Sequence, residues 1–167
     1  LAETEGIVEG ALIMAEIVGV RRILFGVEAD KSDAVTALRD ASHHLATFGF
    51  DVAVQTLETR YPQGAERQLV AALTGRVIPP GGLPLAVGIV VQNVATALAV
   101  RDAVNRRRPL LDRVVTVTGP GVRVPRNVRA PLGTLLEHLI QFCGGMTDDT
   151  TRMIAGGPMM GRALPRF

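Results

Sequence analysis

The chain has 167 residues, of which 47% are hydrophobic and 20% are charged, and its formal net charge at pH 7 is +2. This composition is typical of globular proteins and excludes collagen-like and intrinsically disordered chains. The nearly balanced charge argues against nucleic acid as a partner, and no apolar run approaches the roughly 20 residues of a membrane-spanning helix.

The first third of the chain alternates between helical and strand-like patterns. Residues 7–18 carry apolar side chains at helical spacing, and residues 22–27 form a short apolar run typical of a buried strand. A second helix is predicted over residues 30–48 and a second strand over residues 52–56. The second helix would be capped by Asp30 or Ser32 and would bury Ala34, Leu38, Ala41, Leu45 and Phe48. This order of elements predicts an α/β fold with a mostly parallel sheet flanked by helices.

The middle of the chain continues this pattern. A short helix is predicted over residues 66–74, followed by a loop around Pro79-Pro80-Gly81-Gly82, a sequence that permits no regular structure. The apolar residues 85–91 predict a further buried strand. Asn93 comes directly after it and is well placed to cap the helix that follows.

The pattern changes at residues 106–109, where we predict a domain boundary. Residues 113–118 alternate in polarity as a strand does, and residues 122–124 are expected to return beside them. The sequence Gly119-Pro120-Gly121 would form the turn of this hairpin. The first half of the chain alternates helices with strands, so a hairpin here supports a domain boundary before it.

The last part of the chain predicts one more helix and one more strand. The sequence Thr134-Leu135-Leu136-Glu137 has the pattern of a capping box. The helix that it opens would bury Leu135, Leu136, Leu139, Ile140 and Cys143. Residues 153–155 are predicted to form a short strand, and the glycine-rich residues 156–161 a turn. Together with the hairpin, these elements predict a small β-grasp-like module.

Two polar segments stand where a predicted strand gives way to a helix. The first is Tyr61-Pro62-Gln63-Gly64-Ala65-Glu66, and the second is Gln92-Asn93-Val94-Ala95-Thr96. Both would lie at the carboxyl edge of a parallel sheet, where α/β folds bind ligands. Side-chain amides can hydrogen-bond the rim of a planar heterocycle, and free N–H groups at a helix start suit a phosphate or a ring carbonyl. The two segments therefore indicate a nucleotide-type site, although Asn93 could serve only as a helix cap.

The other reactive residue types indicate neither a metal site nor a catalytic group. Zinc and iron–sulfur centres need several Cys or His ligands at fixed spacing, and the chain has one cysteine and three histidines. His138 and Cys143 are five residues apart, so their side chains would diverge on a helix. We therefore predict no metal ligands and a buried structural role for Cys143. A single cysteine also excludes an internal disulfide, as is usual in reducing compartments.

Short motifs along nearly the whole chain resemble one known family. They begin with Ile7-Val8-Glu9-Gly10 and include the two polar segments described above. The matching segments are residues 61–69, 72–76, 80–82, 90–97, 113–119 and 156–161. In this order they closely resemble the RnfC family, the C subunit of the Rnf ion-translocating electron-transport complex.

The resemblance implies a division into two domains. Residues 1–108 would be part of a Rossmann-like domain that binds FMN and NADH and is related to the NADH-oxidising flavoprotein subunit of respiratory complex I. Residues 109–167 would be a β-grasp-like SLBB module that is truncated at its C-terminal end. The family's glycine-rich FMN loop would precede Leu1, and the cysteine clusters that hold its 4Fe-4S centres would follow Phe167. The chain would thus be the middle of a longer protein and would by itself bind no cofactor.

The family's flavin-site positions carry over to six residues of this chain. They are Tyr61, Gly64, Glu66, Gln92, Asn93 and Thr96. Ala95 stands where the complex I relatives have glutamate, and Ala65 replaces another acid that they use. These departures weaken the expectation of nicotinamide contacts more than that of flavin contacts.

The function implied by the resemblance is NADH-linked oxidoreduction. Electrons would pass from NADH through FMN to the 4Fe-4S clusters, and no side chain would be needed as a catalytic acid or base. The partners would be NADH and the other subunits of the complex, on the cytoplasmic side of the bacterial inner membrane. Two alternatives remain open: a non-catalytic scaffold or docking module, and a cobalamin-reductase-type relative of the same family.

Overall fold

The computed structural model describes residues 3–164, so the outer ends of both predicted domains, residues 1–2 and 165–167, lie outside the described residues. The chain divides into two compact units, Leu1–Pro109 and Leu110–Phe167. None of the helices within residues 3–164 combines the length and the hydropathy that a membrane crossing would need.

The first unit is an α/β structure around a two-stranded parallel sheet. Its elements are α1 (Thr4–Val18), β1 (Arg22–Glu28), α2 (Ser32–Ser42), β2 (Asp51–Leu57), α3 (Glu66–Thr74) and α4 (Val94–Arg106). Short 3-10 helices cover Ala29–Lys31, His43–Phe48 and Pro84–Val87. Strands β1 and β2 pair in parallel, from Arg22 opposite Asp51 to Glu28 opposite Leu57. The predicted α/β class and the parallel pairing are therefore confirmed.

The core of the first unit lies between α1, α2 and the sheet. Its buried residues are Val8, Ala11, Ala15, Phe25, Leu38, Leu45 and Phe50. The three residues from α1 follow one another at intervals of three and four, so they occupy one face of the helix. Gly19 ends α1 in the left-handed conformation, with φ 76°, and lets the chain turn into β1.

Two glycines bring α1 and α4 into close contact. A Cβ atom at Gly10 would overlap the backbone carbonyl of Ala97, and one at Gly6 would overlap the guanidinium of Arg101. Arg101 is buried and its Nη2 lies 3.0 Å from Glu3 Oε2, while its Nε lies 3.1 Å from Asp102 Oδ1. The two helices thus depend on glycine at positions where any side chain would force them apart.

The second predicted helix is shorter than expected. Regular α-helix ends at Ser42 and continues as a 3-10 helix to Phe48. Neither Asp30 nor Ser32 caps it, because the N-cap position is held by Lys31 without a side-chain hydrogen bond. The helical spacing predicts Phe48 in the core, but Phe48 is 68% exposed, since Phe50, beyond the turn at Gly49, occupies the core instead.

The predicted strand over residues 85–91 is wrong. Pro84–Val87 is a 3-10 helix, Gly88 follows with φ 71°, and Leu85 is 73% exposed. Proline is well tolerated in the first turn of a helix, and the left-handed glycine ends that turn. The second polar segment therefore does not follow a strand, and only the first stands at the end of one.

The second unit consists of two small antiparallel sheets and a helix. Its elements are β3 (Asp112–Val117), β4 (Arg126–Pro131), α5 (Leu136–Phe142), β5 (Met153–Ala155) and β6 (Arg162–Leu164). Strand β3 pairs with β4, and β5 pairs with β6. The core contains Val128, Ala130, Leu139 and Cys143, with Val115, Val117 and Val122 packed against it. Cys143 is fully buried, as predicted, and residues 156–161 form the connection between β5 and β6.

The predicted hairpin has a different return strand. Strand β3 pairs with residues 126–131 rather than with residues 122–124. The N–H groups of Arg123 and Val124 donate instead to the carbonyls of Gly145 and Cys143, at 3.1 and 2.9 Å. Pairing with the turn after α5 thus replaces the expected pairing with β3.

The predicted capping box is also wrong. The N-cap of α5 is Leu135, and no side chain caps the helix. The Thr134 hydroxyl donates to the Pro131 carbonyl at 2.7 Å, so it is turned back towards β4. Leu135 and Leu136, which the sequence places inside, are exposed, whereas Leu139 is buried as predicted.

Candidate functional site

The first candidate segment connects the carboxyl end of β2 to α3. Two turns shape it, because the Gln63 N–H donates to the Arg60 carbonyl at 2.8 Å and the Ala65 N–H to the Pro62 carbonyl at 2.7 Å. The Tyr61-Pro62 peptide bond is cis. The Tyr61 ring is 57% exposed, whereas Gln63 is buried. The segment thus presents an aromatic ring to the surroundings while its own backbone is held by local hydrogen bonds.

A polar cluster fixes the chain just before this segment. The Asp30 N–H donates to the Thr59 hydroxyl, and that hydroxyl donates to the Asp30 carboxylate, both at 3.2 Å. Lys31 Nζ donates to Glu28 at 2.7 Å and to Asp30 at 3.1 Å. The hydrogen bond from Lys31 holds the pKa of the Asp30 carboxyl below its usual value. The end of β1 is therefore tied to the chain that follows β2.

The N-terminus of α3 is open to a ligand. Its N-cap residue is Ala65, which offers no side-chain oxygen to the first N–H groups of the helix. No atom lies within 4 Å of the position that a Cβ of Gly64 would occupy, so the backbone there can be approached closely. Uncapped N–H groups and a bare glycine suit a phosphate or a ring carbonyl. These features fit a flavin nucleotide, for which Tyr61 adds an exposed aromatic face.

The second candidate segment forms the start of α4. Asn93 Oδ1 accepts a hydrogen bond from the Ala95 N–H at 2.9 Å, so Asn93 is the N-cap of this helix, as predicted. The cap uses only the oxygen of the side chain and leaves its NH2 group to donate elsewhere. Gln92 is exposed and Thr96 is partly buried in the first turn.

Within residues 3–164, no hydrogen bond joins the two candidate segments directly. The chain between them is instead held against α3 by two arginines. Arg67 donates to the carbonyls of Ile78, Pro79 and Gly82 at 3.0, 3.1 and 2.8 Å. Arg76 donates to the Val87 carbonyl at 2.6 Å. Of the six predicted residues, Tyr61 and Gly64 lie in the turn before α3 and Glu66 is the first residue of α3. The other three, Gln92, Asn93 and Thr96, lie around the start of α4.

Sequence reasoning gave Arg67 no role, although it lies in one of the quoted motifs. A signal was present in the proline- and glycine-rich loop that follows α3. Such a loop forms few regular backbone hydrogen bonds, so its carbonyls need donors from elsewhere. An arginine in the preceding helix is a natural source of them.

Two known domain families match parts of this chain. Residues 1–102 match the family model described as the Nuo51 FMN-binding domain. The chain belongs to the Nuo51 FMN-binding family. Residues 114–163 match the SLBB domain model, which agrees with the predicted β-grasp-like module.

Several relatives of this member of the Nuo51 FMN-binding family are components of larger complexes. The chain is 42% identical over 163 residues to the C subunit of the proton-translocating ferredoxin:NAD(+) oxidoreductase complex of Clostridium ljungdahlii, covering 98% of this chain and 35% of the relative. It is 39% identical to the C subunit of the ion-translocating oxidoreductase complex of Rhodobacter capsulatus, covering 96% and 30%. The resemblance to RnfC is thus confirmed, and the chain spans about a third of the length of these relatives.

Solved structures share the fold of the Nuo51 FMN-binding family with this chain. The NAD+-reducing NiFe hydrogenase in its H2-reduced state superposes with a TM-score of 0.80 at 20% identity, covering 98% of this chain and 32% of that one. Its air-oxidized state gives a TM-score of 0.78 at 19% identity, with the same coverage. These likenesses confirm the fold class.

Proposed function

We propose that residues 1–167 are the central part of an RnfC-type protein that carries electrons from NADH through FMN to 4Fe-4S clusters. The observation that carries this proposal is the open N-terminus of α3 at the end of β2, inside the segment that matches the Nuo51 FMN-binding family. The names of the relatives, which belong to NAD-linked ion-translocating complexes, support the same assignment.

Each segment would contribute a different kind of contact. Gly64 lets the flavin nucleotide approach the backbone, where the first N–H groups of α3 donate to its oxygens. Tyr61 would lie against the ring system, and Glu66 is in the first turn of α3. These residues bind and orient the group, and none of them needs to transfer a proton.

The second segment would supply hydrogen bonds to a ring edge. Gln92 and the free NH2 group of Asn93 are the donors, and Thr96 lies one turn further into α4. When bound, FMN supplies the hydride-accepting and single-electron chemistry that no side chain of this chain offers.

The two domains would have separate roles in the complex. Residues 1–108 would hold part of the FMN and NADH site, and residues 109–167 would form a truncated SLBB module. The rest of the flavin site would come from residues before Leu1 and the 4Fe-4S clusters from residues after Phe167. The relatives are about three times longer than this chain, which leaves room for both. The intact subunit would lie on the cytoplasmic side of the inner membrane, bound to the other subunits.

The test is an FMN titration of the intact subunit, followed by anaerobic addition of NADH. We expect one FMN per subunit and reduction of that FMN by NADH. Gln92→Ala should raise the Kd for FMN about tenfold, because an unpaired hydrogen-bonding group at a desolvated ring costs about 1–3 kcal/mol. Gln141→Ala removes the same amide group from α5 in the other unit and should leave the Kd unchanged.

Two results would contradict the proposal. Failure of the intact subunit to bind FMN would favour the non-catalytic docking module instead. Equal FMN binding by the Gln92→Ala and Gln141→Ala variants would keep the flavoprotein function but would remove Gln92 from the site.

A further inference from the structure

One side chain makes three hydrogen bonds to the loop after α3. Arg67, in the first turn of α3, spreads three hydrogen bonds over the carbonyls of Ile78, Pro79 and Gly82. Within the loop, the backbone contributes the hydrogen bond from the Gly82 N–H to the Pro79 carbonyl, at 2.9 Å. The guanidinium therefore helps to fix residues 79–82 relative to the start of α3, together with the buried side chains of Ile78 and Pro84 on either side of the loop.

Three of the five N–H donors of Arg67 are used within the loop. Nη1 already donates to two carbonyls and Nη2 to a third. A guanidinium spreads its N–H groups over a rigid planar fork, whereas an ammonium group carries its three N–H groups on one nitrogen atom. We therefore expect lysine to reach fewer of these three carbonyls at once. The role of Arg67 is thus geometric, and its charge alone would not replace it.

We propose that Arg67 is a positioning residue of the flavin site, which it serves by fixing residues 79–82 as a wall beside the open N-terminus of α3. This inference rests on the proposed function. The loop contains Gly81 with φ 74° and Gly82, which leave the free loop many conformations. Holding it in one conformation before the ligand arrives removes an entropic cost from binding.

A second tether provides a matched control. Arg76, just beyond the C-terminal end of α3, donates to the Val87 carbonyl at 2.6 Å. It joins the same helix to the same stretch of chain, but at the opposite end of α3 from Gly64 and Glu66. A variant of Arg76 therefore disturbs a comparable contact away from the proposed flavin contacts.

The experiment compares Arg67→Lys, Arg67→Met and Arg76→Lys in the intact subunit. We measure the Kd for FMN by fluorescence quenching and the amide hydrogen exchange of Gly81 and Gly82. Both Arg67 variants should raise the Kd about tenfold, which is the size of effect expected when a hydrogen bond to a charged group is lost. Exchange at Gly81 and Gly82 should accelerate in both. Arg76→Lys should change the Kd less than about twofold.

The outcomes separate this inference from the proposed function. If Arg67→Lys binds FMN as the parent does while Arg67→Met does not, a single charged nitrogen suffices at this position and the proposed positioning by the guanidinium fork is wrong. If Arg67→Lys and Arg76→Lys weaken FMN binding equally, Arg67 makes only a general stabilising contact. That result would also overturn the positioning role. A parent that binds no FMN defeats the proposed function and this inference together, whatever the exchange rates show.

Discussion

At the scale of single residues, glycine has two opposite uses in the first unit. Gly10 lies where the backbone of α4 leaves no room for a side chain, because a Cβ would overlap the Ala97 carbonyl. Gly64 lies where nothing stands within 4 Å of that position. Neither glycine adopts a left-handed conformation, so the space around each residue decides the effect of a substitution. Packing requires glycine in the first case, and we propose that the flavin requires it in the second.

Gly10→Ala should destabilise the chain. The added methyl forces α1 away from α4 in a close-packed contact, and overpacking of this kind costs about 1–3 kcal/mol in the free energy of unfolding. Urea unfolding followed by far-UV circular dichroism measures the change. Gly64→Ala is the control and should stay within about 0.5 kcal/mol of the parent. Equal stability of the two variants would mean that the helices can separate without cost.

Gly64→Ala should instead weaken FMN binding by the intact subunit. Its Cβ would enter the space through which the ligand is proposed to approach the backbone, and a steric cost of about 1–3 kcal/mol raises the Kd about tenfold or more. The measurement is the same fluorescence titration, with the unfolding midpoint recorded in parallel. An unchanged Kd would show that the flavin does not contact this turn.

At the scale of elements, the ends of the helices were predicted best where the chain itself marks them. The bounds of α3 agree with the prediction because Gly75 takes a left-handed conformation, with φ 68°, and stops the helix. The predicted helix cap at Asn93 is confirmed, because its side chain needs only the local backbone as its partner. The capping box at Thr134 failed because a neighbouring carbonyl, from Pro131, offered the hydroxyl a competing partner.

Strands were harder to predict because their partners are distant. The apolar residues 85–91 have the composition of a strand, but a short apolar run carries no periodic signal that separates a strand from a buried helical turn. Residues 122–124 likewise form backbone hydrogen bonds, but their partner is the turn after α5 and not β3. Local sequence thus failed to identify the conformation of residues 85–91, and for residues 122–124 it did not define which partner they pair with.

Asn93 allows the cap and the proposed flavin contact to be separated. Asn93→Ala should lower the free energy of unfolding by about 0.5–2 kcal/mol, because the Ala95 N–H loses its acceptor. Asn93→Ser keeps a cap but shortens the reach of the side chain, so it should be nearly as stable as the parent while binding FMN more weakly. Thermal unfolding and FMN titration of the intact subunit measure the two effects. If Asn93→Ser binds FMN as the parent does, Asn93 is only a helix cap.

At the scale of the whole molecule, the candidate site consists of two segments that are separate in the sequence. The motifs identified six residues, and the structure distributes them between the turn before α3 and the start of α4. The proline- and glycine-rich loop indicates a need for donors, but the sequence does not show which carbonyls Arg67 reaches, since its partners lie 11–15 residues later in the chain. The ion pair between the buried Arg101 and the partly exposed Glu3, separated by 98 residues, could not be predicted for the same reason.

The division of the candidate site into two segments leads to a prediction about the 167-residue chain itself. Under the proposed function the two segments would supply only part of the contacts to a flavin nucleotide, so we expect the purified chain to be colourless and to hold little FMN. Binding free energies of separate contacts combine into one affinity, and each lost 1.4 kcal/mol weakens binding about tenfold. Visible flavin absorbance per mole of protein is the measurement. The intact subunit, purified in parallel, is the reference, and circular dichroism establishes that the chain is folded. A folded chain with one FMN per molecule would mean that the turn before α3 and the start of α4 form a complete site, and the proposal that further residues share it would be wrong.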